Sequence, residues 1–531
     1  MMDAVSAPNS VNYGDQLPLG IEAKSQKRLF FPTTGDVYGP TGNNIARIDI
    51  NYDGLLDTAQ SFLEFTVRNK TNPNGLGVGQ TAGSLDLGHS LIKKLTVSSG
   101  GVVLEEIHDY NTLVGAFLVP SNAGKQTLHY ESMNLTGIDF AAAFTTRLQA
   151  QVDANCVAAR PNAVADGDMA QAIGNTSMGN ESANIRTAIL QAVNNLGRTK
   201  LIAAGGDGAI ATAIRDSVNA YATNNANGTF ETLRYSATTG AIGDNTGALG
   251  VNESRKQHYK LVSGLLDNDK YLPLVLMNAG ITLEIEFAPG NEAGCAVGQD
   301  FDYEITQLRY TSHLIDLERS FYDRLRMVQQ SSGGVLQIAG QSYRGFRGTI
   351  DDGTTAGSIN CPARVRSIKS FFFGYKRAVA QAKFNTSAMG HNNLRTFQLS
   401  IGATRYPPTA NECNATSNKV GAYTELMKAF GKIGSTVHSD LLNSGNYMAG
   451  AGAAGDNDPS DLIPFSPFAI DLESFRHEIE NGIDSSSRAL PITLHTTHSA
   501  AIEAGCNQVF MYVLYDSLFY VNMDGSVSVS S

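Results

Sequence analysis

The chain has 531 residues, of which 17% are charged, and a formal net charge of -11 at pH 7. This length allows more than one hydrophobic core, so two or more domains are expected, and the acidic balance argues against a surface that coats nucleic acid. The 53 glycines, together with many Asn, Ser and Thr residues, favour an all-β protein with many turns.

Cysteine usage and the N-terminal sequence indicate the compartment. The five cysteines are widely spaced and form no C-x-x-C pair, which argues against a disulfide framework or a zinc ribbon and favours free thiols. No apolar run reaches the ~18 residues of a membrane span. The first ten residues lack the basic and apolar regions of a signal peptide. We therefore expect a soluble protein that is made in a reducing compartment.

Residues 1–44 are rich in Pro and Gly and are interpreted as an N-terminal arm that lies on another surface. Lys24, Lys27 and Arg28 form a small basic cluster within it. Such a cluster can contact an anionic layer, either lipid headgroups or nucleic acid; the alternative is a solvated turn.

A first β-domain is predicted for residues 45–318. Apolar and polar residues alternate around Ile48 and again around Phe65, with the period of a half-buried strand. Residues 98–101, Ser-Ser-Gly-Gly, predict a hairpin. Tyr110, Leu113, Val114 and Phe117, in the range 110–117, then share one helical face.

Residues 119–255 change character, because Ala, Asn, Gly and Thr dominate and apolar density falls. Helical stripes are predicted near 185–197 and 210–221. A segment of this length is too large for an ordinary loop, so we predict an exposed insertion at one end of the first domain.

Apolar and polar residues alternate without interruption over residues 281–287, which predicts a strand of an antiparallel sheet. Residues 303–317 predict a second, longer strand. The segment 319–333 contains a short amphipathic stretch and is predicted to be a connecting helix and linker.

Residues 334–531 repeat the organisation of the first domain. Tyr423, with apolar residues at +3 and +4 and Ala-Phe at +6 and +7, matches the segment that begins at Tyr110. In both halves an irregular segment, a Leu-Pro run and a long final strand follow. This shared order predicts a duplicated β-domain.

Several stretches resemble double jelly-roll major capsid proteins of large eukaryotic DNA viruses, virophages and polinton-like viruses. They include 272–287 with 303–325, VVLEEIHDYNTLVGAF at 102–117, PFAIDLE at 467–473, and 509–522. The resemblance implies an all-β fold of two tandem eight-stranded antiparallel jelly-roll sandwiches, with short helices in loops and one large insertion.

The resemblance also implies a function. Such a protein is a major capsid protein that assembles as a pseudo-hexagonal homotrimer and tiles an icosahedral virion shell. Its expected partners are further copies of itself, minor capsid and penton proteins, an internal membrane or the genome through the arm at 1–44, and a host receptor through 119–255. It is expected in the virion after synthesis in the host cytoplasm or nucleus, without enzymatic activity and without a cofactor.

Motifs for chemistry were weighed and set aside. Residues 87–92 lack the second Gly of a nucleophile elbow, and Gly124-Lys125 lacks the upstream Gly of a phosphate loop. His495 and His498 have no evident third metal ligand. The acidic loop at 455–461 lacks the downstream Glu of an EF-hand. We therefore predict no catalytic, cofactor-binding or metal-binding residues.

Two other functions stay open at this stage. One is a secreted or surface β-sandwich adhesin that binds carbohydrate, for which a signal peptide is expected. The other is a carbohydrate-active enzyme on a jelly-roll fold, which needs two carboxylates that face each other across a groove. Glu284 and Glu286 share a strand face, but the alternation places that face outside the core.

Overall fold

The fold consists of two antiparallel β-sandwiches in tandem. A computed structural model describes residues 22–70, 91–118, 121, 252, 254–290, 292–293, 302–376, 389–414, 418–433, 442, 447–448, 466–475, 479–487, 490–502 and 505–531. The predicted insertion at 119–255 lies almost entirely outside these residues, as do its two predicted helical stripes.

The first sandwich, here called roll 1, is built from two sheets. Its strands are β1 (Ala23–Phe30), β2 (Val37–Tyr38), β3 (Ile45–Ile50), β4 (Leu55–Asn69), β5 (Ile92–Ser99), β6 (Val102–His108), β7 (Ser254–Tyr259), β8 (Ile281–Phe287) and β9 (Tyr303–Leu317). One sheet has the order β1-β9-β4-β7, with β2 also paired to β9, and the other has the order β3-β8-β5-β6.

The second sandwich, roll 2, follows the same plan. Its strands are β10 (Val335–Thr349), β11 (Ala356–Cys361), β12 (Ile368–Lys376), β13 (Leu394–Ile401), β14 (Thr404–Glu412), β15 (Phe468–Asp471), β16 (Ile492–His498), β17 (Gln508–Asn522) and β18 (Val527–Ser530). Its sheets have the orders β10-β17-β12-β15, with β18 beside β17, and β11-β16-β13-β14.

The two rolls share one strand order. When β2 and β18 are left out, each roll has eight strands, which can be numbered one to eight along the chain. In both rolls one sheet then has the strand order 1-8-3-6 and the other has the order 2-7-4-5. The fourth strands even share an irregularity, because the register shifts between Ile92 and Lys94 in β5 and between Leu394 and Thr396 in β13. The predicted duplication of a jelly-roll sandwich is therefore confirmed.

The core forms where the inner faces of the sheets meet. Burial alternates along β8, where Ile281, Leu283 and Ile285 are buried and Glu284 is exposed, as the period-two pattern predicts. In contrast, all nine residues of β12 are buried. Phe373 faces the opposing sheet, where it packs against Phe397 with ring centroids 5.4 Å apart. The other face of β12 is therefore covered by something outside the sandwich.

Short helices connect the strands. They are α1 (Tyr110–Thr112), which continues into a π-helical segment (Leu113–Leu118), a 3-10 turn (Leu274–Leu276), α2 (Arg319–Ser331) and α3 (Val420–Ala429). α1 and the π segment occupy the predicted helical face at 110–117, and α3 carries the repeated Tyr423. α2 links the two rolls, and its one buried residue is Gln329.

The prediction of an N-terminal arm at 1–44 is wrong for residues 22–44, the part that the structure describes. Ala23–Phe30 forms β1, which pairs along its whole length with β9 from Ala23↔Leu317 to Phe30↔Tyr310, and β2 pairs with β9 further along. Roll 1 therefore begins before residue 45. Seven of the eight β1 residues are exposed, so they show no alternation, and only pairing with a strand almost 290 positions later makes this segment a strand.

Candidate functional site

The two rolls are joined by a buried seam, which we define as the contact of β6 and the residues after it with β10 and its sheet. Glu105 of β6 is 2% exposed and lies at its centre. One carboxylate oxygen accepts hydrogen bonds from Ser342 Oγ of β10 and from the backbone N–H of Gly264 (2.8 Å), and the other from Ser263 Oγ (2.5 Å). Burial raises the pKa of Glu105, and these hydrogen bonds oppose the rise.

A group of paired charges lies at the end of β6. Asp109 directly follows the strand in a left-handed conformation (φ 51°). Arg347 of β10 binds both of its oxygens, with Nε 2.6 Å from Oδ2, and Lys93 Nζ of β5 lies 2.8 Å from Oδ1. Lys93 also contacts Glu292. Although burial raises the pKa of Asp109, the hydrogen bonds with Arg347 and the nearby cations lower it overall.

Backbone segments approach closely across the seam, and glycines permit this. A Cβ on Gly345 of β10 would lie 2.6 Å from the carbonyl oxygen of His108, and one on Gly264 would lie 2.6 Å from that of Gln341. Beside this contact, Asn268 Nδ2 donates to the carbonyl of Ala339 at 2.7 Å. Any larger residue at these glycines would push the rolls apart.

Aromatic side chains seal the same boundary. Phe117 of the π segment packs against Tyr512 and Phe372, with centroids 5.2 and 6.3 Å away, and so covers the outer face of β12. Tyr512 in turn donates its hydroxyl hydrogen to the carbonyl of Asp109 at 2.9 Å. Apolar packing and charged hydrogen bonds therefore act together to fix one roll against the other.

Two further contacts anchor the connections. The backbone N–H of Asn278 donates to the carbonyl of Gly525 at 2.9 Å, which ties the start of β8 to the turn between β17 and β18. Gln329 of α2 donates to the carbonyl of Val521 at 2.8 Å. The linker helix is thus attached to roll 2 and is not a free hinge.

The histidines that were considered as metal ligands do not converge. His495 lies between the hydroxyls of Ser358 and Ser400, each 3.0 Å away, while His498 is buried with Nδ1 2.9 Å from the carbonyl of Asn392. In the part of the chain that the structure describes, no three His, Cys, Asp or Glu side chains are grouped as metal ligands would be. The segments 87–90, 124–125 and 455–461 lie outside the described residues.

Glu284 and Glu286 lie on the outer face of β8, as predicted, with Glu284 exposed and Glu286 half-buried. Among the described residues, Cys361, Cys413 and Cys506 are buried cysteines. None of the helices in the described ranges is long and apolar enough to cross a membrane.

The seam is not among the features that the sequence patterns predict. Glu105 and Asp109 fall within a stretch that was used only for its strand and helix pattern. A signal was present, because three glycines, Gly340, Gly345 and Gly348, interrupt β10. Such glycines indicate a close backbone approach, although they do not say to which segment.

Comparisons with known proteins address the fold. No protein-family model matches the chain, and no curated protein matches it in sequence. The quasi-atomic model of the PBCV-1 virus capsid matches with a TM-score of 0.50 at 9% identity, over 98% of this chain and 99% of that chain. The mavirus major capsid protein matches with a TM-score of 0.46 at 10% identity, over 100% of this chain and 96% of that chain. The Faustovirus major capsid protein matches with a TM-score of 0.47 at 9% identity, over 96% of this chain and 92% of that chain.

At this level of identity the PBCV-1 likeness establishes the fold alone. It agrees with the strand order of both halves. The chain therefore has the double jelly-roll fold, in likeness to the PBCV-1 virus capsid.

Proposed function

We propose that this chain is the major capsid protein of a double-stranded DNA virus and that it forms a homotrimeric, pseudo-hexagonal capsomer. The observation that carries the proposal is one jelly roll built twice with the same strand order and fixed side by side by a buried seam. The double jelly-roll fold that it shares with the PBCV-1 capsid supports it.

The geometry explains why such a chain suits a shell. Two similar lobes per chain give six lobes in a ring of three chains, so the ring has a nearly sixfold outline with only threefold symmetry. A rigid seam matters here, because lobes that moved against each other would not present a constant edge to neighbouring capsomers. Contacts between capsomers can then be weak, since each contact within a closed shell is effectively intramolecular.

The remaining assignments follow from this proposal. We assign residues 319–333 to the connection between the domains and 334–531 to the second roll, with the first roll extended to include β1. Minor capsid and penton proteins are the expected partners in the virion. Contact with an internal membrane or genome is assigned to the N-terminal residues and contact with the host to 119–255. We propose no enzymatic activity.

The mass of the purified protein tests the proposal. Light scattering after size exclusion is expected to give three times 56.6 kDa over a wide range of concentration. A monomer of 56.6 kDa at every concentration would contradict it and would favour a monomeric adhesin, for which glycan binding is the readout.

A further inference from the structure

The seam uses one edge of each roll and leaves the equivalent edges open. Within the chain, the fifth strand of roll 1 (β6) and the helical segment after it meet the first strand of roll 2 (β10). Roll 2 has its own fifth strand and helix, β14 and α3, and roll 1 has its own first strand, β1. Among the described strands, β1 borders only β9 in its sheet and β14 borders only β13.

These open edges are unusually exposed. Seven of the eight residues of β1 are exposed, and none of the nine residues of β14 is buried. In β10, the counterpart of β1, the seam side includes the buried Ser342 and Gly345. Strands with exposed residues and unpaired backbone groups at a sheet edge are ready to pack against another surface.

Exposed apolar side chains lie beside the same edges. Phe31 is 60% exposed and Val37 is 52% exposed, next to β1 and in β2. Val420, at the start of α3, is 62% exposed, and Ile433 lies just beyond the end of that helix. Exposed apolar residues that cluster on two separate faces indicate surfaces that become covered.

Strand registers show that these faces occupy the same positions as the two sides of the seam. Val37 pairs with the fourth residue of β9, and Phe346 pairs with the fourth residue of β17; β9 and β17 are both fifteen-residue strands. Tyr38, the next residue, therefore corresponds to Arg347.

The strands β14 of roll 2 and β6 of roll 1 can be aligned in the same way. Glu412 of β14 pairs with Thr396, which is the first residue of β13 after its register shift. His108 of β6 pairs with Lys94, which is the first residue of β5 after its register shift. Cys413 therefore corresponds to Asp109. A cleft of about 550 Å³ opens beside Glu412 and Cys413, at the position in roll 2 that corresponds to Asp109 in roll 1.

We propose that a second copy of this chain repeats the seam. The β1–β2 face of roll 1, defined by Lys27, Phe31 and Val37, docks on the β14–α3 face of roll 2 of a neighbouring copy, defined by Glu412 and Val420. The contact is heterologous, so each chain uses both faces and three chains close the ring. This inference rests on the proposed trimer and names the surfaces that form it.

Charged substitutions test the two faces separately. Phe31→Asp and Val420→Asp are each expected to raise the concentration for half-assembly by about 30-fold or more, the size of effect seen for central interface residues. Met523→Asp is the matched control, because Met523 is 59% exposed and lies in the turn between β17 and β18, outside the segments that define both faces. Circular dichroism checks that all three variants keep the fold.

A cross-linking variant provides a positive test. In the double variant Phe31→Cys and Val420→Cys, made in a parent that also carries Cys156→Ser and Cys295→Ser, a bifunctional maleimide is expected to join three chains covalently, whereas that parent and the single variants made from it give only background. If the wild-type protein is monomeric, the proposed function itself fails. If the wild-type protein is a trimer and both Asp variants assemble normally without cross-linking of the double variant, the trimer stands and these faces are wrong.

Discussion

Asp109 is the residue on which the charged contacts between the rolls converge, since it binds Lys93 of its own roll and Arg347 of the other. Arg347→Ala would leave this buried carboxylate short of its main partner. We expect the free energy of unfolding to fall by about 3 kcal/mol. This is the lower end of the range for removing one partner of a buried ion pair, and we choose it because the Arg347 side chain is one-third exposed. Denaturant unfolding measures it, with Arg344→Ala on the same strand as the control. Equal losses in the two variants would contradict this role.

Glu64 gives a pH dependence at the same scale. Burial raises its pKa, but hydrogen bonds from Arg309, Lys256 and Thr311 outweigh burial and lower the pKa from 4.5 to about 2. A lowered pKa means that the carboxylate stabilises the folded state above pH 4.5 and that this contribution is lost as pH falls towards 2. The melting temperature of Glu64→Gln should therefore be lower than that of the wild type at pH 7. It should also fall less than that of the wild type as the pH is lowered from 4.5 to about 2. Parallel curves of melting temperature against pH would contradict this prediction.

At the scale of elements, the close contact of β10 with β6 depends on glycine. Gly345→Ala would place a Cβ 2.6 Å from the His108 carbonyl oxygen, and both backbones are held by their own sheets. We expect a loss of about 1–3 kcal/mol, typical of overpacking. Gln337→Ala, at an exposed position of the same strand, should unfold like wild type in thermal denaturation. An unchanged melting temperature for Gly345→Ala would show that the rolls are not in close contact.

The elements also show what sequence patterns can predict. The strands at 281–287 and 303–317 were predicted at their observed bounds, because alternation between core and solvent is a local property. β1 was missed because its exposed residues carry no alternation. The seam was missed because Glu105 and Asp109 each take one partner, Ser342 and Arg347, from a roll more than 200 residues away, and spacing along the chain does not encode such pairs.

For the whole molecule, duplication explains both the shape of one chain and its proposed assembly. The same roll, used twice, creates one seam inside the chain and leaves one unused copy of each docking face. Because the strand orders agree, we propose that the contact made within the chain is repeated between chains. A capsomer with six similar lobes then needs only one gene product.

Electron microscopy of the purified protein tests this central claim most directly. Class averages are expected to show a threefold ring of six similar lobes with a nearly hexagonal outline. Isolated particles of two lobes at every concentration, or a ring with another number of chains, would contradict the account.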